Sequence, residues 1–559
     1  MAKPPYAASQ IELKVNGNEI ELAELQKIME VIVDQHVHLP TLFTLRLRDP
    51  GLAVLEKGSF DLAKDVEIQA INPHGEKFTL IKGEITALEP VFGEGMIAEL
   101  TVRGYDPSHR LYRQTKSKAY INVRDSDLAS EIAREAGLQE EIEATHILYP
   151  HVFQSNQSDL AFLMQRAWRI GYECFVSEGK LFFRPPASAE ARLTLTWGQD
   201  LLSFRPNLSL AEQVDEVIVR GWDPQKQTTI VGRASKGNLY PRVGEPEDGS
   251  SLASAFGPGK LVVVDLPVAS QGEADLLASA RLDEISGAFI QAEGEAFRRP
   301  DIGAGRMVQV EALGERFTGT YLVTRARHIY NASGLHTTFS VLGARSGLLS
   351  EQMADRPVFE RWPGLVTAIV TNSDDPLGWG RVKVKYPWLT EDVESDWARV
   401  LGIGAGPEAG FFVVPEVDDE VLVAFEHGDF GRPCVLGGLW NGQHAVPPEG
   451  QGAAGGEKPL VRTWRSRGGH RMVMYDDAEQ RVEIVTSDKR RVSLDDKNRE
   501  IVIQTKDVKI VVGDEQISIE SKSEIEVKAG SNLKLGANGS IDIQASGQVN
   551  IKGATINLN

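Results

Sequence analysis

Residues 517–559 read ISIESKSEIEVKAGSNLKLGANGSIDIQASGQVNIKGATINLN, and the apolar doublets in this stretch decide the fold. Ile517/Ile519, Ile525/Val527, Leu533/Leu535, Ile541/Ile543 and Val549/Ile551 recur every eight residues, and Ile556/Leu558 closes the series one residue early. Each doublet brackets one polar residue, such as Ser518, Glu526 or Lys534. Both apolar side chains therefore leave a strand on one face and the polar one on the other. Gly530, Gly536, Asn538, Gly539, Gly547 and Gly553 are expected to turn the chain between doublets. An octad supplies one strand and one turn, whereas a solenoid coil made by a single chain needs roughly 20 residues. The doublets are thus expected to form the core of a prism built by several copies, most simply three. An ordinary meander of short strands in a monomeric sandwich is the alternative. Upstream, Val482/Ile484, Val492/Leu494, Ile501/Ile503 and Val508/Ile510 continue the pattern less regularly.

A chain of 559 residues with a formal net charge of −19 is long enough for several domains and poorly suited to polyanions. Nucleic acid is not an expected partner. Cys174 and Cys434 lie far apart in sequence and read as two separate thiols. The first twenty residues lack an apolar core and no run has the length of a membrane span, so synthesis in the cytoplasm without a signal peptide is expected.

Taken in order, residues 1–120 alternate as antiparallel strands and read as a first β-barrel. His36 and His38 share a strand face there and are expected to be solvated, since a metal site would recruit three or four ligands. Residues 121–190 turn helical over 126–136 and 158–170 and then form a strand pair, an α/β insertion. Residues 191–350 read as a second barrel, interrupted by the helix GEADLLASARLDEIS. After the linker 350–363, residues 357–445 hold five short strands, the pattern of an OB barrel. Val382 and Val384 alternate there with Arg381, Lys383 and Lys385. Tyr386 and Trp388 raise a single-strand-binding reading. Six Lys and Arg against fourteen Asp and Glu, net −8 over 357–445, decide against it. The clusters Glu391/Asp392/Glu394/Asp396 and Asp418/Asp419/Glu420 lie in turns without the apolar setting that raises a catalytic pKa, so loop charge is expected. Residues 446–480 read as a Gly/Pro-rich neck and 481–559 as the spike.

The OB segment carries a family resemblance. Asn372, Asp375, Pro376, Gly378, Gly380 and Arg381 in VTNSDDPLGWGRVKV, Trp397 and Arg399 in WARV, Pro415, and Asp419, Glu420, His427, Gly428 and Asp429 in DEVLVAFEHGD resemble the VgrG spike proteins of contractile injection systems. The run Ser158–Leu163 with Gly171 is similar to the insertion helix of the related phage late-control D or baseplate hub. The resemblance implies a mainly β chain: two hub β-barrels with an α/β insertion, an OB-fold barrel and a C-terminal triple-stranded β-helix in a homotrimer. It further implies that the hub docks on hexameric inner-tube proteins within a baseplate. Ile556, Leu558 and Asn559 would meet a PAAR-like tip protein, cargo effectors would ride on the assembly, and sheath contraction would drive the spike through a membrane. No catalytic residue, cofactor or metal is expected. The last histidine is His470, and neither the short stretch 442–470 nor the end of the chain leaves room for an enzyme domain. An extracellular phage-tail-like particle is expected over a type VI secretion spike. A spike-associated cell-wall hydrolase and a trimeric receptor- or carbohydrate-binding fibre remain as alternatives.

Overall fold

The computed structural model describes residues 10–343, 362–451 and 460–558, apart from 73, 95–96, 187–190, 238–240, 246 and 391; the linker 350–361 and Asn559 lie outside the described residues. The chain is mainly β and divides into two units, Met1–Leu439 and Trp440–Asn559.

In the first unit, period-two alternation builds the strands Ile28–His36, Leu39–Arg48, Asp65–Ile71, Lys77–Gly93 and Ile97–Tyr105. Their inward residues, among them Val33, Phe43, Leu45, Ile68 and Val102, make one core. The strands Leu201–Leu208, Ile290–Phe297, Arg325–Asn331 and Gly334–Val341 face a second core holding Leu201, Ala296, Tyr321 and Phe339. The two halves are not separate sheets. Arg325–Asn331 pairs antiparallel with Ile28–His36, from Arg325 opposite His36 to Tyr330 opposite Val31, and one eleven-stranded sheet runs through both.

The insertion follows the helix signals. Asp125–Glu135 and Asp159–Ile170 are helices; Ser158 Oγ caps the second by accepting the Ala161 N–H, and Gly171 ends it at φ +73°. Leu128, Ile132, Leu160, Leu163 and Ala167 form their shared core. Burying a leucine such as Leu163 contributes about 2 kcal/mol. The expectation of solvated histidines fails. His36 and His38 are both buried, the His38 N–H donates to His36 Nδ1 at 3.1 Å, and the His38 ring stands edge-on to Trp168 at 5.8 Å. The pair is a packing element between the first barrel and the insertion helix. Its neighbours arrive from 130 residues away, which a local pattern does not show.

The OB segment is a five-stranded sheet in the order Lys383–Lys385, Val366–Asn372, Glu420–Phe425, Pro433–Gly438, Arg399–Val400. Ala368, Val370, Val382, Val384, Tyr386, Val421, Val423 and Val435 close its core.

The second unit is one antiparallel meander of seven strands: Val461–Arg465, Arg471–Tyr475, Arg481–Val485, Arg491–Asp495, Glu500–Gln504, Val508–Gly513 and Ile517–Ser521. It begins at Val461, inside the stretch read as a neck over 446–480. The Met472/Met474 doublet has the same alternation as the later ones and supplies the reason. Among the described residues, 524–558 enter no strand ladder.

Candidate functional site

Two features stand out, the open face of the tail sheet and the loop system of the OB barrel. The tail's register places doublet opposite doublet. Met472 faces Ile484, Val482 faces Leu494, Ile484 faces Val492, Leu494 faces Ile501, Ile503 faces Ile510, and Val512 faces Ile517. One face of the meander is thereby a continuous apolar ladder from Trp464 to Ile519. Cross-strand pairs of this kind each add roughly 0.2–1 kcal/mol to the sheet. The strand Val508–Gly513 contributes three residues to that face, Val508, Ile510 and Val512, where the sequence pattern marks two. The ladder remains open to solvent: Ile484 is 55% exposed, Ile503 47% and Ile517 69%. The opposite face is tighter. Val473, Glu483, Ser493 and Val502 are buried on it, and Glu483 is flanked by Arg481 at 3.2 Å and Arg491 at 3.5 Å.

Of the residues assigned to the oligomer core, Ile517 and Ile519 sit in the last strand of the meander. Ile525, Val527, Leu533, Leu535, Ile541, Ile543, Val549 and Ile551 all follow it, exposed and without a ladder within the chain. Ile556 and Leu558 are exposed as well, and Asn559 lies outside the described residues. The chain bends at Gly530, at Asn538–Gly539, at Gly547 and beside Gly553, as expected of turn residues between doublets, although none of Gly530, Gly536, Gly539, Gly547 and Gly553 lies in the left-handed region. Four of the meander's hairpins do use that region, at Gly469, Gln480, Lys489 and Arg499. Sequence reasoning passed over Trp464 and Met472/Met474. Their signal is the ten-residue step from 472/474 to 482/484 to 492/494.

The OB motif residues prove to be loop builders. Asp375 accepts the backbone N–H groups of Leu377 at 3.0 Å, Trp379 at 2.8 Å and Arg381 at 3.2 Å, while Arg381 Nη2 reaches it at 2.6 Å. The Arg381 guanidinium is the largest cause holding the Asp375 carboxyl well below the usual range, burial opposes it, and the backbone donors add to it. Arg381 lies 5.3 Å from the Trp379 ring and 5.7 Å from the Trp397 ring. Gly378 and Gly380 take φ +66° and +72°, and a Cβ on Gly380 would meet the Phe412 ring at 2.8 Å. Pro376 lies within this loop, after Asn372, whose Oδ1 accepts the Asp374 N–H at 2.8 Å. Elsewhere, Arg399 pairs with Glu426, Asp419 accepts the Glu416 N–H at 2.8 Å just after Pro415, and Glu420 lies in a strand whose carbonyl accepts the Leu439 N–H. His427 and Gly428 make a left-handed turn, and Asp429 accepts the Gly431 N–H at 2.9 Å.

The acidic clusters thus serve turns, with Glu394 held at 3.6 Å by Lys383 and Glu391 outside the described residues. The aromatic pair is not a stacking platform. Tyr386 is fully buried among Phe153, Phe425 and Phe430, and Trp388 Nε1 donates to the Thr367 carbonyl at 2.9 Å.

Comparison with known proteins agrees with this geometry. Residues 7–331 match the Alg8 N-terminal domain, and residues 366–440 match the type VI secretion system/phage-baseplate injector OB domain. The type VI secretion system spike protein VgrG1a of Pseudomonas aeruginosa is 34% identical over 94 residues, and VgrG4b of the same organism 39% over 97 residues. Each match covers 15% of this chain, and respectively 15% and 12% of the relative's length. In fold, the chain is similar to Francisella VgrG solved in complex with PdpA (TM-score 0.52, 9% identity, 92% of this chain and 88% of that one). It is also similar to an E. coli type VI secretion component described as resembling the T4 tail proteins gp27 and gp5 (TM-score 0.50, 16% identity, 76% and 99%).

Proposed function

The chain belongs to the family of the Alg8 N-terminal domain and is VgrG-like in its fold and its OB barrel; from that premise we propose that it is the structural central spike of a contractile injection system, a homotrimer that punctures a membrane. The observation that carries this reading is the open apolar ladder from Trp464 to Ile519, followed by octads with no partner strand among the described residues. A one-layer sheet with one apolar face is stable when that face is covered, and exposed apolar surface on this scale marks an interface. Three copies would each supply one wall of a prism, and the octads would pair between chains as a triple-stranded β-helix.

The spike works mechanically and not as an enzyme. The carboxylates that could be read as catalytic pairs are committed to turns and ion pairs, as at Asp375, Asp419 and Glu394. In this reading the hub adapts hexameric inner-tube proteins to a three-fold needle within a baseplate, and the octad end carries a PAAR-like tip protein through Ile556, Leu558 and Asn559. Cargo effectors are further partners in this reading. The protein would be assembled in the cytoplasm into a particle that is released or membrane-anchored. Neighbouring sheath, tube and AAA-type genes without a membrane complex would support the released form.

Light scattering on the purified chain tests the reading. Three times the chain mass is expected at micromolar concentration; a stable monomer overturns it. Lysis of cell walls, lost on one acidic substitution, would favour a hydrolase instead, and cell binding by the isolated tail a receptor fibre.

A further inference from the structure

The insertion, the helix Gln271–Gly287 and the OB barrel meet at a pocket of about 140 Å³, lined among others by Tyr149, His151, Ser155, Arg166, Arg169 and Arg432. Five side-chain atoms of these lining residues are shielded from solvent and have no hydrogen-bond partner among the described residues: Tyr149 Oη, His151 Nδ1, Ser155 Oγ, Arg166 Nη2 and Arg169 Nε. Buried polar groups left unpaired are costly, so groups converging on one pocket call for an occupant. A water takes about 30 Å³, which leaves room for about four or five waters or one small tetrahedral ion.

The chemistry of the walls selects between these. Arg166 is fixed by Asp125 at 2.5 Å and stacks on the Tyr149 ring at 4.3 Å, so its spare N–H is held in place. Arg169 donates through Nη2 to Glu273 Oε1 and to the Pro267 carbonyl, both at 2.6 Å, leaving Nε–H over. Guanidinium nitrogens only donate, and the two hydroxyls can donate as well. His151 differs. Its Nε2 lies 3.2 Å from the Glu394 carbonyl oxygen, which only accepts, so Nε2 carries the proton. Burial lowers the pKa of this ring and keeps it neutral, so Nδ1 presents a lone pair. Among these unpartnered atoms His151 Nδ1 is the obligate acceptor and the others donate; the carboxylates of Glu273 and Asp429, which also line the pocket, face Arg169 and Arg432. Arg166, Arg169 and Arg432 are balanced by Asp125, Glu273 and Asp429, with Arg432 3.7 Å from Asp429 and 3.9 Å from Glu273. The ligand thus carries a small charge.

We propose that this pocket binds inorganic phosphate, whose oxygens accept from Arg166, Arg169, Tyr149 and Ser155 and whose own hydroxyl donates to His151 Nδ1. Sulfate has the same shape but no proton near neutral pH and would leave that nitrogen facing an anion. The ligand's contacts would come from residues 149–169 of the insertion, beside walls from Glu273 and from Asp429–Arg432 of the OB barrel, so it would tie the barrel to the hub.

Melting curves and 31P NMR on the full chain in phosphate-free buffer test this, with sodium phosphate, sulfate and chloride at matched ionic strength. Millimolar phosphate is expected to raise the melting temperature by about 2 °C or more and to broaden the 31P line, with sulfate giving less than half the shift. Tyr149→Phe with Ser155→Ala removes only two hydroxyls, and His151→Phe removes the acceptor. Both variants are verified as folded by circular dichroism; the double variant should weaken the shifts from both anions, and His151→Phe should bring the phosphate shift down to that of sulfate. Equal shifts from the two anions in the wild type, a phosphate shift still larger than that of sulfate in His151→Phe, or an unchanged melting curve and 31P line each overturn the proposal. The last result would mean that water alone fills the pocket. The spike reading stands in any of these cases, since it rests on the tail.

Discussion

The OB barrel and the tail carry the same local pattern and end in opposite states. Val382 and Val384 alternate with basic residues and are 0% exposed, because Val370, Val421 and Val435 of the same chain form the facing wall. Val492 and Leu494 alternate with the polar residues Arg491, Ser493 and Asp495, yet Leu494 remains 49% exposed, and among the described residues no facing wall lies in the unit. Alternation specifies which side of a strand is apolar. It does not specify where the other half of the core comes from. The barrel closes because turns such as Asp375–Arg381 bend its strands round on themselves; the meander stays one layer deep because each of its strands pairs only with its neighbours in sequence.

The largest expected effect breaks the tail and leaves the barrel. Ile484→Asp with Leu494→Asp places charges in the middle of the ladder, where three copies would bury six uncompensated carboxylates. Since isolated buried charges are among the most costly groups in a protein, assembly should be lost, with light scattering shifting from trimer to monomer and far-ultraviolet dichroism of the first unit retained. Ile543→Asp should be milder: a trimer that keeps its mass but loses resistance to detergent in the distal shaft. A trimer unaffected by the double change would mean that the ladder face is not the interface.

Asp375→Ala is the converse test, a large effect confined to the barrel. It removes a carboxylate that holds three backbone N–H groups and leaves Arg381 between two tryptophans without its counter-ion. Removing one partner of a half-buried, hydrogen-bonded charge pair costs about 1–3 kcal/mol. Chemical denaturation followed by Trp fluorescence should show that loss at any protein concentration, while tail assembly varies with concentration. Asp375 and Arg381 also show what was legible in the sequence. The spacing of Asp375, Gly378, Gly380 and Arg381 marks a loop whose contacts span six residues, and the OB fold could be read from it. The octads lead to the expectation of a core shared between copies, and among the described residues 524–558 enter no strand ladder. His36 and His38 could not be read, since Trp168, which packs on His38, is 130 residues away. Neither could the seam between Arg325–Asn331 and Ile28–His36, for pairing across 300 residues leaves no periodic trace.

A third contrast is in titration. His328, in the hub strand Arg325–Asn331, is buried, and burial lowers its pKa to about 4, with Asp301 opposing. The doublet cores of the tail contain no titrating side chain. Above pH 6.5 the ring is neutral in both folded and unfolded chains. As pH falls from about 6.5 to about 4, the unfolded chain binds a proton that the folded chain refuses, and stability falls by about 3 kcal/mol in all. Below about 4 the loss levels off. Urea titrations from pH 7 to 4 should show this slope in the first unit, and His328→Gln should flatten it. Detergent resistance of the trimer should not change through this histidine.

The smallest effects separate the two halves of the tail. Arg499 holds φ +53° in a hairpin of the meander, a conformation that costs a β-branched residue roughly 1–2 kcal/mol. Arg499→Val should therefore destabilise the tail by about that much. Gly547 has no positive φ, and a Cβ there meets nothing within 4 Å in its own chain. Relief of backbone entropy alone would make Gly547→Ala stabilising by roughly 0.5–1 kcal/mol. Any loss at Gly547 has to arise from a neighbouring copy. Thermal melts of the two variants against wild type thus read different things: at Arg499 the geometry of a turn within one chain, at Gly547 the closeness of approach between chains. A loss at Gly547 exceeding that at Arg499 would show that the octads are glycine-rich because three backbones crowd together there. A gain would show that they wind with room to spare.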